Sequence, residues 1–441
     1  MIRKKIIKYI GTPKIFSFTI MWLIFLVFIG TIMQASEGLY LVQKYYFTSW
    51  ITWFGPIPAP SAKLTMLIMT INLSCYFLRT EIWKMKKIGI TITHLGVMLM
   101  LVGSGITYLS SYEGYIDILE GDKSSKIKDY YNNEIHISFK TDSLYHITFS
   151  QNLLFEGNIL EHHNLPFKLK IVDTLSNCVP KSRLEPIFLD DMSLIYGFDI
   201  DGKILINKFD SDFKRLKDDN IDISHLSDIL LINNIVGDTN NGIEYSNVEN
   251  YKGFLKFYSL ENAAIEKENY ENNILGALVE LLSLEDKSLG FYALTSGIFP
   301  SSQGRPLVNP PYQSNNIKFN IELRKAQKQL PFYIQLEDFN RELHPNTSTP
   351  KSFSSDVVVL DENGKELIKK HISMNDPLRY DDYVFYQSNH SNDLKTSVFA
   401  VVENSGRWFP YISSIIMSLG ILIHLLIMVY GRFKKVKNYN E

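Results

Sequence analysis

The chain has 441 residues, of which 45% are hydrophobic, and its formal net charge is -2 at pH 7. This charge argues against the broad basic surface of a nucleic-acid-binding protein. The two cysteines, Cys75 and Cys178, form no C-x-x-C or C-x-x-C-H motif, which argues against a thioredoxin-like redox site, a thiolate zinc site and covalent c-type haem on this chain.

The hydrophobic residues are concentrated towards the two ends of the chain, in four apolar segments that we predict to be membrane helices. In chain order these segments are Phe16–Met33, Leu64–Leu78, Ile88–Tyr108 and Pro410–Tyr430. The second is short, but Lys63 and Arg79 at its ends can extend their charged groups to the membrane surface. The basic N-terminus resembles the start of a signal peptide. The apolar run behind it is long and lacks a small-residue cleavage site, so we interpret the first segment as a retained anchor.

The lysines and arginines near these segments predict their orientation, because cytoplasmic loops are enriched in both residues. Basic residues precede the first segment, separate the second from the third and follow the fourth, whereas the loop Glu37–Pro60 contains only Lys44. They are Arg3, Lys4, Lys5, Lys8, Lys14, Arg79, Lys84, Lys86, Lys87, Arg432, Lys434, Lys435 and Lys437. We therefore predict that both termini are cytoplasmic and that the long region between the third and fourth segments is extracytoplasmic.

The loop Glu37–Pro60 is dense in tyrosine, phenylalanine and tryptophan. These side chains favour the membrane interface, where a ring can be buried while its OH or NH group stays in water. We interpret the loop as an interfacial anchor; a docking surface for a partner or for a flat, ring-shaped ligand is the alternative.

Two of the predicted spans each contain one histidine and no Asp, Glu, Lys or Arg: His94 lies in the third span and His424 in the fourth. A polar ring in hydrocarbon is costly without a partner, so such residues are functional candidates. Imidazole is a ligand for haem iron and other transition metals. His94 is seven residues from Lys87 and His424 is eight from Arg432. These spacings predict similar depths, about 10–12 Å above the same membrane face at about 1.5 Å per residue.

A structural role is the alternative for each of these histidines. A histidine in a membrane helix can form a hydrogen bond with a neighbouring helix, for a stabilisation of about 0.6–2 kcal/mol. Gly89, Gly96 and Gly103 recur every seven residues in the third span, and small residues at this spacing allow close helix packing. We interpret the glycines as a packing face; room for a macrocycle is the alternative.

The region Ser110–Arg407 alternates apolar and polar residues in several short runs, which predicts β-strands. The clearest runs are Tyr115–Leu119, Phe167–Ile171, Phe332–Leu336, Asp356–Leu360 and Val384–Tyr386. Leu165–Asp173 and Leu330–Asp338 both begin with Leu-Pro-Phe and end with Asp. We therefore predict a duplicated β module in which Leu-Pro-Phe opens a strand. A short helix is predicted over Ser224–Ile232, in the polar stretch between the two copies.

The histidines of this region share no metal-ligand spacing. His162 and His163 are adjacent, so their side chains would diverge on a strand. The scattered ones are His136, His146, His225, His344, His371 and His390. The region also lacks G-x-S-x-G, H-E-x-x-H and phosphate-loop motifs. We predict that it carries no catalytic residue.

Several short motifs together resemble the ResB/CcsB family of cytochrome c biogenesis proteins, in the System II pathway. The N-terminal part supplies Gly30-Thr31-Ile32-Met33-Gln34, Tyr45–Trp50, Arg79, His94-Leu95-Gly96 and Glu120-Gly121. The C-terminal part supplies Leu330-Pro331-Phe332, Asp338-Phe339, Ser355-Asp356-Val357, Met374-Asn375-Asp376-Pro377-Leu378 and Tyr383-Val384-Phe385-Tyr386-Gln387-Ser388. The resemblance covers both ends and thins between about Leu194 and Asn315. Met33 stands where the family often has proline.

This resemblance implies a subunit that is not an enzyme by itself. The family works with a tryptophan-rich, CcsA-type partner to carry haem across the membrane and attach it to apocytochrome c. The partner's haem-handling motif is absent here, because Trp50 and Trp53 do not reproduce it. The intramembrane haem ligand of the family falls on His94, as a ligand to non-covalent haem b, in the inner membrane of a bacterium. His424 is not expected from the family, so its assignment to the cofactor rests on depth alone.

The predicted fold is a polytopic α-helical membrane protein with four transmembrane helices, arranged three plus one, and a large, mainly β extracytoplasmic domain. The predicted boundaries are residues 1–109 for the three-span region, 110–408 for the β-rich domain and 409–441 for the last helix and its basic tail. The alternative function is a non-enzymatic assembly or sensory protein whose β domain binds a partner and whose membrane histidines only pack helices.

Overall fold

A computed structural model of the protein describes residues 2–141, 143–187, 194–200, 203–209, 253–297, 312–314, 317–345, 347, 350–390 and 395–440. The helix predicted over Ser224–Ile232 lies outside these residues. The α-helices are α1 (Ile2–Ile10), α2 (Pro13–Val42), α3 (Ala62–Phe77), α4 (Ile88–Ser110) and α5 (Phe409–Asn440). A π-helical turn covers Gln43–Thr48, and short 3-10 helices cover Thr80–Trp83, Met85–Lys87, Gln151–Leu153 and Tyr270–Asn272.

Among the described residues, two strands form a hairpin between α2 and α3, and the other strands lie between α4 and α5. They are β1 (Ile51–Phe54), β2 (Ile57–Pro60), β3 (Tyr112–Leu119), β4 (Lys123–Lys140), β5 (Leu144–Ser150), β6 (Ile159–Leu160), β7 (Phe167–Leu175), β8 (Cys178–Ile187), β9 (Leu194–Ile200), β10 (Lys203–Phe209), β11 (Gly253–Asn262), β12 (Gly276–Ser283), β13 (Ser288–Thr295), β14 (Tyr312–Ser314), β15 (Ile317–Leu343), β16 (Pro350–Leu360), β17 (Glu366–Ser373), β18 (Leu378–Tyr380), β19 (Tyr383–His390) and β20 (Thr396–Glu403). All five runs predicted as strands lie in this set.

Within the described residues, three apolar helical segments are long enough to cross a membrane, which fits a multi-pass membrane protein. They are Pro13–Thr48, Ile88–Ser110 and Phe409–Arg432. The fourth apolar helix, α3, has 16 residues, or about 24 Å at about 1.5 Å per residue, against a hydrocarbon core of about 30 Å. The fourth span therefore stays a prediction. Helix α2 is bent at Gly38, whose φ of 72° is a conformation that glycine adopts without strain.

The described chain divides into two compact units, each with its own hydrophobic core. The first consists of residues 1–130, 267–270 and 327–441, and the second of residues 131–266 and 271–326. These boundaries differ from the predicted ones, because they cut β4 after Tyr130 and β15 after Ala326. Long strands can cross such a boundary since each half can pack its side chains into a different core.

The first unit contains all five α-helices and most of a mainly antiparallel sheet with the strand order β17-β16-β15-β4-β3-β20-β19-β18. Its core includes Leu336, Val357, Phe385 and Phe399, all essentially inaccessible to solvent. The second unit contains two four-stranded sheets, β13-β12-β7-β6 and β10-β9-β11-β8. Strands β5 and β14 pair with the parts of β4 and β15 that belong to this unit.

The prediction that Leu-Pro-Phe opens a strand is right for one copy and wrong for the other. Strand β7 begins at Phe167, directly after Pro166. Pro331 instead lies inside β15, which continues from Ile317 to Leu343. A proline in a strand loses one N–H donor, which is tolerated where no carbonyl of the next strand needs it. Leu165 and Phe167 lie in the core of the second unit, and Leu330 and Phe332 lie in the core of the first. The duplication itself stays a prediction.

Candidate functional site

His94 has one ring nitrogen engaged and one without a hydrogen bond. Its Nδ1 lies 2.7 Å from the carbonyl oxygen of Ile90, one turn earlier in α4. Because a carbonyl oxygen can only accept, Nδ1 carries the proton and donates it. Within the described part of the chain, Nε2 makes no hydrogen bond. This arrangement fixes the tautomer that leaves the lone pair of Nε2 available as a metal ligand.

Two aromatic rings contact the imidazole of His94, which is half-buried. The ring of Tyr76, near the end of α3, is nearly parallel to it, with centroids 4.8 Å apart and an interplanar angle of 23°. The ring of Phe16, in the first turn of α2, is tilted by 45° at 6.5 Å. The imidazole therefore has apolar aromatic neighbours from two other helices. These contacts could not be predicted from the sequence, because the two rings lie in separate apolar segments.

Polar side chains of the α3 end hold the junction of α1 and α2 against that helix. The Nδ2 group of Asn72 donates to the carbonyl oxygens of Ile10 and, at 3.1 Å, Thr12. The guanidinium of Arg79 donates to the carbonyl oxygen of Gly11 at 3.2 Å. A Cβ atom at Gly11 would lie 2.8 Å from the backbone nitrogen of Tyr76. Only glycine allows this approach, so the junction is fixed next to the residue that contacts His94.

The glycines of α4 form a packing face for α5, as predicted. A Cβ atom at Gly89 would lie 2.4 Å from the backbone nitrogen of His424, and one at Gly96 would lie 2.9 Å from that of Met417. A Cβ atom at Gly103 would meet the side chain of Phe409 at 2.3 Å. The contacts run in opposite directions along the two helices, which are therefore antiparallel neighbours. The glycines serve the helix contact rather than leaving room for a macrocycle.

His94 and His424 do not lie side by side. His424 lies level with Gly89, five residues from His94, which corresponds to about 7.5 Å along the axis. Five residues also turn the helix by about 140°, at 3.6 residues per turn, so the His94 side chain begins far from the face that contacts α5. The expected match in depth is therefore wrong. The Nδ1 atom of His424 is buried and has no hydrogen-bond partner among the described residues.

The basic residues close in sequence to the ends of α3, α4 and α5 differ in their surroundings. Arg79 is anchored by Gly11, as described above. Lys84, Lys87 and Arg432 are exposed. The side chains of Lys86 and Lys434 lie outside the described part of the structure. Among the predicted cations, Arg79 is thus the one that the structure places on the helix end carrying Tyr76.

The aromatic loop after α2 forms a hairpin whose rings are partly exposed. Trp50 and Trp53 are 53% and 62% exposed. The ammonium group of Lys63 lies 4.5 Å from the centre of the Trp50 ring and 4.6 Å from that of Tyr108. Such cation–π contacts are common where aromatic rings meet a wet surface. Both interpretations of the loop, interfacial anchor and docking surface, stay open.

A second histidine site lies in the second unit, where the sequence predicted only scattered residues. His136 on β4 is 5% exposed. Its Nδ1 lies 2.7 Å from a carboxylate oxygen of Glu322 on β15, and its Nε2 lies 2.9 Å from Nδ1 of His146 on β5. Arg324 donates to Glu134 at 2.9 Å and to Glu322 at 3.2 Å. Both ring nitrogens of His136 are therefore engaged by side chains.

The charges of this cluster stabilise the ionised carboxylate of Glu322. The hydrogen bond from His136 holds the pKa of Glu322 below its ordinary value of 4.5, against partial burial, and Arg324 adds to the effect. The bond between the two imidazoles needs one proton, because two bare nitrogens have no donor and two protonated nitrogens have no acceptor. The cluster is thus a closed network rather than an open ligand set. Among the described residues, no group of three or more His, Cys, Asp or Glu is arranged to hold a metal ion.

Two smaller findings concern other histidines of the β region. His162 and His163 do not diverge as expected: their rings are nearly parallel at 4.3 Å. The reason is that they lie in a turn, where the alternation of a strand does not apply. His371 pairs with Asp356 at 2.9 Å, and both are exposed.

The motif residues of the C-terminal part serve the core of the first unit. The hydroxyl of Ser355 donates to the side-chain oxygen of Gln387 at 2.8 Å, and Ser397 completes this buried network. Phe385 is fully buried. Burial, with Glu403 nearby, raises the pKa of Tyr383 to about 12. These residues therefore stabilise the sheet that precedes α5.

Comparison with known proteins links this part of the chain to one family. Residues 291–407 match the ResB-like family. A stretch of 112 residues is 29% identical to Protein NrfI of Wolinella succinogenes and covers 24% of this chain and 12% of that protein. A stretch of 68 residues is 41% identical to the chloroplastic cytochrome c biogenesis protein CCS1 of Arabidopsis thaliana and covers 14% and 12% of the two chains. The chain thus spans only a small part of the relatives that it matches.

Proposed function

Residues 291–407 are a ResB-like segment, and on that premise we propose that this chain acts in cytochrome c biogenesis as a haem-handling subunit. Haem is its cargo, held without covalent bonds and passed on for attachment to apocytochrome c. The chain supplies one axial ligand, and a CcsA-type membrane protein completes the synthase. The name of the Arabidopsis relative, a cytochrome c biogenesis protein, supports this assignment.

The state of His94 carries the proposal. An imidazole in an uncharged helix donates from Nδ1 to Ile90 and keeps Nε2 without a hydrogen bond in the described chain. His424 also has a ring nitrogen without a hydrogen bond among the described residues, so the aromatic contacts of His94 are what distinguish the two histidines. The ring contacts of His94 are with Tyr76 and Phe16, and the carbon rings of these side chains offer no N–H or O–H donor to the lone pair of Nε2.

The surroundings of His94 fit the chemistry of haem. The macrocycle is apolar and flat, and aromatic side chains give it complementary surface. Its propionates need cations, and Arg79 follows Tyr76 by three residues. A bidentate interaction with Arg79 would replace the hydrogen bond that this side chain now gives to Gly11. The exposed Lys84, Lys87 and Arg432 could attract the propionates from a longer distance.

The same proposal includes the setting of the protein. The distribution of basic residues supports cytoplasmic termini and an extracytoplasmic β region. The inner membrane of a bacterium is the location that the family resemblance implies. The cations beside α3 and α4 then lie on the cytoplasmic side, where haem would enter. The β region would contact apocytochrome c or the partner without supplying catalytic residues.

The second axial ligand is better assigned to the partner subunit than to His424. The backbone of His424 packs on Gly89 of α4, about 7.5 Å along the helix axis from His94. An iron atom between two imidazoles lies about 2 Å from each nitrogen, so the two histidines would have to approach closely. Helix α5 would have to slide along α4 by more than one helical turn to allow that.

A spectrum of the purified protein tests the assignment. His94→Ala should lose the co-purifying haem seen in the wild type, and imidazole added to the medium should partly restore it. His424→Ala should keep the haem, since that ring lies elsewhere on the helix pair. Unchanged haem in a stably inserted His94→Ala variant would refute the proposal and favour the alternative, an assembly or sensory protein whose membrane histidines only pack.

A further inference from the structure

Tyr76 is placed to control the orientation of the His94 ring. The imidazole can turn only about its Cα–Cβ and Cβ–Cγ bonds, and the hydrogen bond from Nδ1 to Ile90 limits that rotation without preventing it. A parallel ring at 4.8 Å restricts that rotation, because tilting the imidazole would bring its edge into the face of the tyrosine. Phe16, at 6.5 Å and tilted, restricts it less.

The position of Tyr76 is itself fixed by its backbone. Gly11 packs directly on its nitrogen, and the carbonyl groups on either side of Gly11 are bound by Asn72, one turn earlier in α3. The Tyr76 hydroxyl makes no hydrogen bond among the described residues. The ring is thus held through the chain and acts through its face, so phenylalanine should replace it.

We infer that Tyr76 is a positioning residue that sets the plane of the His94 imidazole for axial ligation of haem. This inference rests on the proposed function, since it assigns a role only if His94 binds the iron. The angle of an axial imidazole plane determines how its π orbitals overlap with the iron d orbitals. A fixed plane gives one sharp ferric electron paramagnetic resonance signal, and a rotating ring gives a broad distribution.

The test compares four variants of the full-length protein in detergent: Tyr76→Leu, Tyr76→Met, Tyr76→Phe and the matched control Phe77→Leu. Phe77 is the next residue, contacts Tyr76 and Trp83, and makes no ring contact with His94. The readouts are the ferric resonance spectrum and the retention of haem during dilution. Tyr76→Met introduces an unbranched, flexible side chain of about the size of leucine, in case the branched leucine disturbs the local packing.

We expect Tyr76→Leu and Tyr76→Met to broaden or shift the ferric signal and to weaken haem retention by about 2–10-fold, the factor that corresponds to losing an aromatic pair. Tyr76→Phe and Phe77→Leu should match the wild type. A wild-type signal in both Tyr76→Leu and Tyr76→Met would overturn the inference. Haem that persists in His94→Ala would instead reject the proposed function, so the two failures can be told apart.

Discussion

His94 and His136 are both histidines inside regular secondary structure, and the structure uses them in opposite ways. The helix that carries His94 satisfies one nitrogen by itself, through the carbonyl of Ile90, and leaves the other without a hydrogen bond. The strand that carries His136 satisfies neither nitrogen. Glu322 and His146, from two other strands, bind both.

The difference shows how secondary structure affects the availability of a ligand. In a helix, the carbonyl four residues earlier lies within reach of Nδ1, so a single helix can prepare an imidazole for metal binding. In a sheet, side chains of neighbouring strands lie close together and tend to complete each other's hydrogen bonds. A histidine with both nitrogens engaged stabilises its surroundings, whereas one with a bare nitrogen is ready for a ligand.

The largest effect is expected at the glycine face of α4, which packs on α5 and so leaves His94 on another side of the helix. Gly96→Leu would place a side chain where a Cβ already lies 2.9 Å from the backbone of α5, so the helices must separate. We expect a loss of about 3 kcal/mol in stability, typical of severe overpacking, measured as reduced insertion and a lower thermal midpoint. Gly105→Leu is the matched control, since no atom lies within 4 Å of its Cβ position. Equal behaviour of the two variants would contradict the packing face.

The next effect compares the two histidines directly. His136→Ala removes a hydrogen bond between a buried imidazole and a charged carboxylate, and we expect the second unit to lose about 2–3 kcal/mol of stability. The resistance of this unit to proteolysis measures the loss. His94→Ala removes a hydrogen bond within one helix and two ring contacts, all in the first unit. It should therefore change the protease resistance of the second unit little while removing haem. If His94→Ala lowered the protease resistance of the second unit more than His136→Ala did, the contrast between a stabilising and a binding histidine would be wrong.

The smallest effect concerns pH. Because the folded pKa of Glu322 is below 4.5, its ionised form stabilises the second unit above that pH, and the contribution is lost as the pH falls through the lower, folded pKa. Glu322→Gln should therefore be less stable than the wild type at neutral pH, and the gap should narrow below pH 4.5. The gap should be modest, since the Glu322 side chain is 54% exposed. The thermal midpoints of the two proteins measure this gap. If it stayed constant from neutral pH to below pH 4.5, the stability would not depend on the ionisation of Glu322.

The apolar pattern located the helix that carries His94, and the seven-residue spacing of its glycines located the packing face, because each depends on residues within one segment. The match between His94 and His424 failed for a different reason. Distances to Lys87 and Arg432 ignore how far each basic residue lies from the membrane, so they do not define the register of two helices. That register is set by glycine contacts such as Gly89 with the backbone of His424.

The contacts that sequence reasoning missed all join distant segments. Tyr76 meets His94 across a turn that contains two short 3-10 helices, whose geometry has no simple sequence pattern. His136 and His146 meet because Ser138, two residues after His136, pairs with His146 in the β4–β5 register. Glu322 then reaches the pair from almost two hundred residues away. A spacing of ten residues predicts contact between two histidines only when a hairpin between their strands is already assumed.

The contact between α4 and α5 also has a consequence for biosynthesis. Gly103 packs on Phe409, so the helix that carries His94 meets its neighbour only after the 305 residues between these two positions, 104–408, have been made. At about 5–20 residues per second this takes about 15–60 s. During that time the glycine face of α4 has only lipid or other membrane proteins to cover it. The order of translation thus leaves the helix that carries His94 incompletely packed while the whole β region is being synthesised.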